Sequence, residues 1–155
     1  MKKLVFVLIA LSLSSVSHAD GFVCQTEAGD LTIKAYNNTQ PENGTRNSAV
    51  LVLSDPSVGA GKKTIARFSH TNETLTNVGA SYEAKVDLRF SDSNLGGRNI
   101  GGTKLAMLKT IVLDVNFSYS TPVAAGATVS GTLTLIKRNG QELTHEVSCS
   151  RYLKN

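Results

Sequence analysis

Tryptophan is absent, aromatic residues make up 6% of the 155 positions, and the chain holds only three histidines, three prolines and two cysteines. Each shortage narrows the field of functions. So few aromatics argue against an outer-membrane barrel, which also needs alternating strands of about ten residues. Several candidate strands here are shorter than that. No apolar run reaches the roughly 20 residues that span a bilayer as a helix. Cys24 and Cys149 lie far apart, and only two histidines, His70 and His145, lie outside the first 19 residues, with no repeated close Cys or His spacing among the four. A metal site needs such spacing, so no metal and no cofactor is expected. Catalysis by nucleophile and base, or by a carboxylate pair, finds equally little support. The acids are spread singly, and His145 falls within a strand pattern.

What the chain does have begins with residues 1–19. Lys2 and Lys3 give a positive start, residues 4–13 an apolar core, and Ser17-His18-Ala19 a small-x-small cleavage site. These three parts make a secretory signal peptide, and a soluble mature chain is expected to begin at Asp20. Cleavage removes 19 of the 155 residues and leaves 136, the length of a single domain over residues 20–155. The full chain has 16 basic and 12 acidic residues. Losing Lys2 and Lys3 leaves 14 against 12, close to neutral, with the charges scattered along the sequence. Neither a nucleic-acid partner nor, after cleavage, a transmembrane anchor is expected. Location should be periplasmic or extracellular. There an even cysteine pair reads as a disulfide, Cys24–Cys149, the alternatives being free thiols or metal ligands.

The remainder alternates like strands. Phe22, Cys24 and Thr26, then Leu31, Ile33 and Ala35, form a hairpin about a two-residue Ala28-Gly29 loop, which puts Cys24 opposite Ile33 and facing inward. Residues 37–47 read as a polar loop and residues 48–55 as a packed strand. Residues 63–70 read as a further strand, with 71–78 either a short strand or a connector. Residues 81–90 give the clearest period of two: Tyr82, Ala84, Val86, Leu88 and Phe90 against Glu83, Lys85, Asp87 and Arg89. From 104 to 119, Leu105, Met107, Ile111, Leu113, Val115, Phe117 and Tyr119 share odd positions, broken only by Lys109. One long bent strand or two short ones fit.

The last two strands meet at Arg138-Asn139-Gly140. A two-residue turn would mix apolar and polar residues on one face. A three-residue loop with Gly140 in the left-handed region pairs Leu135 with Leu143, Leu133 with His145 and Val129 with Cys149. That register separates the faces, exposes Thr144 and points Cys149 inward. About eight strands and no ordinary helix make an all-β fold, an antiparallel closed or nearly closed barrel, with a two-sheet sandwich as the alternative.

One loop stands out as a candidate binding element: Gly96, Gly97, Arg98, Asn99, Ile100, Gly101 and Gly102. Its glycines expose backbone N–H groups and Arg98 adds a cation, which suits an anion or a partner's cleft. The pattern matches neither phosphate-binding fingerprint, and an ordinary surface loop would have the same composition.

Phe22-Val23-Cys24, Gly29-Asp30-Leu31, Gly44-Thr45-Arg46, residues 49–55 and the ending from Cys149 to Asn155 resemble small exported β-proteins of predatory Gram-negative bacteria, a family whose function is uncharacterised. The early cysteine followed by an alternating strand is also similar to periplasmic C-type lysozyme inhibitors. The inhibitory Ser-x-Ser-Gly-x-Arg-Tyr loop of those proteins is missing here, so no inhibitory residue carries over. The expected function is a non-enzymatic binding or structural protein of the bacterial cell envelope. It would take a small apolar ligand inside the barrel or an envelope protein at its loops. An inhibitor of a secreted hydrolase and a small hydrolase are the alternatives.

Overall fold

The computed structural model describes residues 19–37, 48–57, 63–76, 78–87, 96–117 and 124–154. Residues 1–18, nearly all of the expected signal peptide, lie outside them, as do most of the 37–47 segment, Leu88, Phe90, residues 91–95 and Tyr119. Ten strands follow in order: β1 (Ala19–Thr26), β2 (Thr32–Asn37), β3 (Ser48–Asp55), β4 (Lys63–Thr76), β5 (Gly79–Lys85), β6 (Asn99–Ile100), β7 (Thr103–Lys104), β8 (Leu108–Asn116), β9 (Thr128–Lys137) and β10 (Glu142–Lys154). Eight of them close into an antiparallel barrel in the order β1-β10-β9-β8-β5-β4-β3-β2. β6 and β7 form a separate ribbon between β5 and β8. The barrel alternative holds and the sandwich does not, because β1 pairs with both β2 and β10 and leaves no sheet edge.

Closure is fastened covalently. Cys24 sits directly opposite Cys149 in the β1–β10 ladder, and the two sulfurs are bonded. Both residues are fully buried. The bond therefore crosses the seam between the first and last strands on the inner side of the barrel.

The interior is filled by alternate residues of each strand. Ile33, Leu51, Leu53, Ile111, Leu113, Leu133 and Leu135 are completely buried and belong to one continuous cluster with the disulfide. An eight-stranded barrel has an interior just wide enough for such side chains. At one end, Phe22 meets Tyr82 and Phe117 edge to face, with ring centroids 6.4 Å and 5.7 Å apart, and the Arg151 guanidinium stacks 4.5 Å from the Phe117 centroid.

Room for the disulfide comes from Gly131, which faces Val147 across the β9–β10 ladder. A Cβ there would lie 2.6 Å from the Asp114 carbonyl oxygen, 3.1 Å from Val147 Cγ2 and 3.3 Å from Cys149 Sγ. Gly131→Ala should therefore destabilise by roughly 1–3 kcal/mol, the usual range for overpacking. Urea unfolding checks this, and an unchanged midpoint would mean the β8–β9 spacing is looser than described.

Both hairpins whose register was argued from sequence pair as expected, Cys24 with Ile33 and Leu135 with Leu143, Leu133 with His145 and Val129 with Cys149. Gly140 has φ 86°, the left-handed conformation that the three-residue loop requires. In the first hairpin the turn is shifted. The Gly29 N–H donates to the Thr26 carbonyl, so Glu27 and Ala28 occupy the turn centre and Gly29, at φ 70°, follows it. Asp30 completes the connection, and its carboxylate accepts from the Thr26 hydroxyl at 2.6 Å.

Two segments depart from the sequence reading. The strand expected from residue 63 and the short strand or connector expected after it are a single strand, β4, which absorbs two irregularities against β3. One extra residue, Ile65, falls between Ala66 and Thr64, and two residues, Ser69 and His70, stand opposite Val50 alone. The odd-position pattern from 104 also fails at its start. Leu105–Met107 forms a 3-10 turn, and β8 is irregular between Leu108 and Thr110. Inserting a residue there flips the phase, so Leu108 is buried and Met107 is 49% exposed.

Candidate functional site

The Gly96 to Gly102 segment closes one end of the barrel. Ile100 is 1% exposed and joins the core, as do Leu105 and Leu108 beyond it. Burying one isoleucine supplies roughly 2 kcal/mol, enough to draw an otherwise polar segment down onto the opening. Gly101 and Gly102 make the turn between β6 and β7 at φ 48° and 83°, values that disfavour a side chain. A Cβ on Gly101 would also stand 2.7 Å from His145 Nε2 and 3.0 Å from Leu135 Cδ1.

Polar bonds stitch this cap to three sides of the barrel. Arg98 Nη1 donates to the Thr64 carbonyl of β4 at 2.9 Å. His145 Nε2, reaching up from β10, donates to the Gly101 carbonyl at 3.0 Å. Arg138 holds the 3-10 turn: its backbone N–H donates to the Met107 carbonyl and its Nε to that of Ala106, while Nη2 donates to the carbonyl of Val86, just after β5, at 3.2 Å. Within the cap, the Leu105 and Ala106 N–H groups donate to the carbonyls of Arg98 and Gly96.

This geometry reassigns much of the candidate loop. Gly96 and Ile100 are buried, Arg98 is half-buried with a backbone partner, and Gly101 is covered by His145. Gly97, Asn99 and Gly102 remain exposed. From sequence the segment reads as a surface loop, because its single isoleucine carries no periodicity. The signal available was Ile100 followed by Leu105, two apolar residues flanking glycines that turn the chain back on itself.

A groove of about 430 Å³ opens beside the cap, between the β1–β2 turn, the Gly101-Gly102 turn and β10. Glu27, Asp30 and Glu146 line it together with His145. A second groove of about 340 Å³ runs over the β1–β10 seam, lined by Val23, Gln25, Ser148 and Ser150. Both are open to solvent. The two cysteines are bonded to each other, and His145 Nε2 holds the cap. His70 stands exposed on β4. Among the described residues, no three His, Cys, Asp or Glu side chains are grouped to hold a metal ion, and no helix is long and apolar enough to cross a membrane.

Elsewhere on the same end, the Asp55 carboxylate accepts from both the backbone N–H and the hydroxyl of Ser57, at 2.8 and 2.6 Å. These bonds hold its carboxyl below the usual aspartate range. Compared with protein-family models, curated proteins and solved structures, the chain gives no match.

Proposed function

We propose that the protein is an exported, non-enzymatic binding or structural module of the bacterial cell envelope that works through its outer surface. The observation carrying this reading is the interior. Twelve large side chains, among them Tyr82, Ile33, Leu113 and Leu133, are buried to less than 2% exposure, and Ile100 and Leu105 close one end. A barrel built to carry a small apolar ligand keeps that volume open. The buried disulfide and the lack of a long apolar helix among the described residues suit an exported protein. Inhibition of a secreted hydrolase through the glycine-rich loop has less support, because Ile100 and Arg98 are engaged in the fold.

Titration of the oxidised protein with an apolar fluorescent probe and with a fatty acid tests this reading. No saturable one-to-one uptake is expected, together with no turnover across a broad panel of hydrolase substrates. Stoichiometric uptake would make the protein a carrier, and turnover abolished by a point substitution in either groove would make it an enzyme.

A further inference from the structure

The capped end of the barrel is electrically divided. Around the rim, β9, β8 and β5 are consecutive and bring up Lys137, Arg138, Lys109 and Lys85, with Lys104 on β7 beside them. The neighbouring arc, β10, β1, β2 and β3, carries Glu142, Glu146, Glu27, Asp30 and Asp55. Asp87, just after β5, is the exception on the basic arc, and Lys34, on β2, is the exception on the acidic one. Lys85, Lys104 and Lys109 are exposed, as are Glu27, Asp30 and Glu146. In sequence these charges are scattered, and only barrel closure sorts them by sign. Each arc also carries a matching shape. Met107 is 49% exposed on the basic side, its carbonyl bonded to the Arg138 N–H, and the groove of about 430 Å³ lies on the acidic side.

We infer that this end is a docking surface for a second copy of the chain, joined end to end about a two-fold axis lying along the boundary between the arcs. Such an axis places each basic arc over the other copy's acidic arc and each Met107 over the other copy's acidic groove. A two-fold interface requires this self-complementarity, in which each patch meets the other patch twice. A flat anionic surface would meet both arcs and be repelled by one. A single end face is small for an interface, so the attraction is electrostatic and the expected dissociation constant is on the order of 10 μM. The inference goes beyond the proposed function and does not depend on it.

Sedimentation equilibrium of the oxidised chain tests it. A dimer is expected at about 20 mM salt and a monomer at about 500 mM, where screening shortens to a few ångströms. Lys104→Glu with Lys109→Glu should weaken association at least about tenfold, and so should Glu27→Lys with Glu146→Lys, because each sets like charges against each other. An equimolar mixture of the two variants should restore a dimer. Circular dichroism and melting establish that each variant is folded, and Lys104→Gln with Lys109→Gln replaces a reversal that is not. A wild-type monomer at low salt overturns the inference, as does a dimer indifferent to salt and to both reversals, or a mixture that stays monomeric.

Discussion

Replacing both Cys24 and Cys149 by alanine, or reducing the bond, is expected to remove about 4–5 kcal/mol of stability. The two residues are 125 positions apart, and a cross-link closing so long a loop restricts the unfolded chain by that amount in the entropic account. For a domain of this size the melting temperature should fall by on the order of 15 °C. The location adds to the effect. The bond joins β1 to β10, the first and last of the described strands, whose pairing closes the barrel, so losing it loosens that seam. Thermal unfolding with and without reductant measures the loss. A change below about 1 kcal/mol would mean that the β1–β10 ladder closes the barrel unaided and that the unfolded chain is already compact.

Ile100→Ala is the second large expectation, a loss of roughly 2–4 kcal/mol, as for other buried aliphatic truncations. Ile100 is 1% exposed inside the barrel end, next in chain to the Gly101 carbonyl that His145 holds. The neighbouring Asn99→Ala, on an exposed side chain, should change stability by less than about 0.5 kcal/mol. This contrast separates cap from reader. If the segment were a free recognition loop, the two substitutions would be equally harmless to stability. Denaturant midpoints for the pair decide the matter.

The parts of the fold legible in the sequence were those fixed by local rules. The β9–β10 register follows from Gly140 at a left-handed position and from keeping Leu135, Leu143 and Val129 on one face. The disulfide follows from parity and compartment, and the strand count from alternation. What escaped the sequence were phase changes and long-range neighbours. A bulge shifts the phase of the hydrophobic alternation at a point that local rules do not mark, so by period alone β4 reads as two pieces and Met107, in place of Leu108, reads as inward. The cap escaped because its anchors come from elsewhere: Thr64, Arg138 and His145 lie on β4, after β9 and on β10. The acidic groove and the divided rim escaped for the same reason, since Glu27 and Glu146 become neighbours only when β1 meets β10.

Whether the glycine-rich segment is part of the barrel or an element held out for a partner is the central question, and native-state hydrogen exchange answers it most directly. The amides of Leu105 and Ala106 donate to Arg98 and Gly96, and that of Arg138 donates to Met107. If the segment is the barrel's cap, these three amides exchange only through openings nearly as costly as those that expose β8 and β9, within about 1–2 kcal/mol of global unfolding. Exchange of Leu105 and Ala106 near the unprotected rate, with β8 and β9 still protected, would contradict the account and return the segment to the role of a free binding loop.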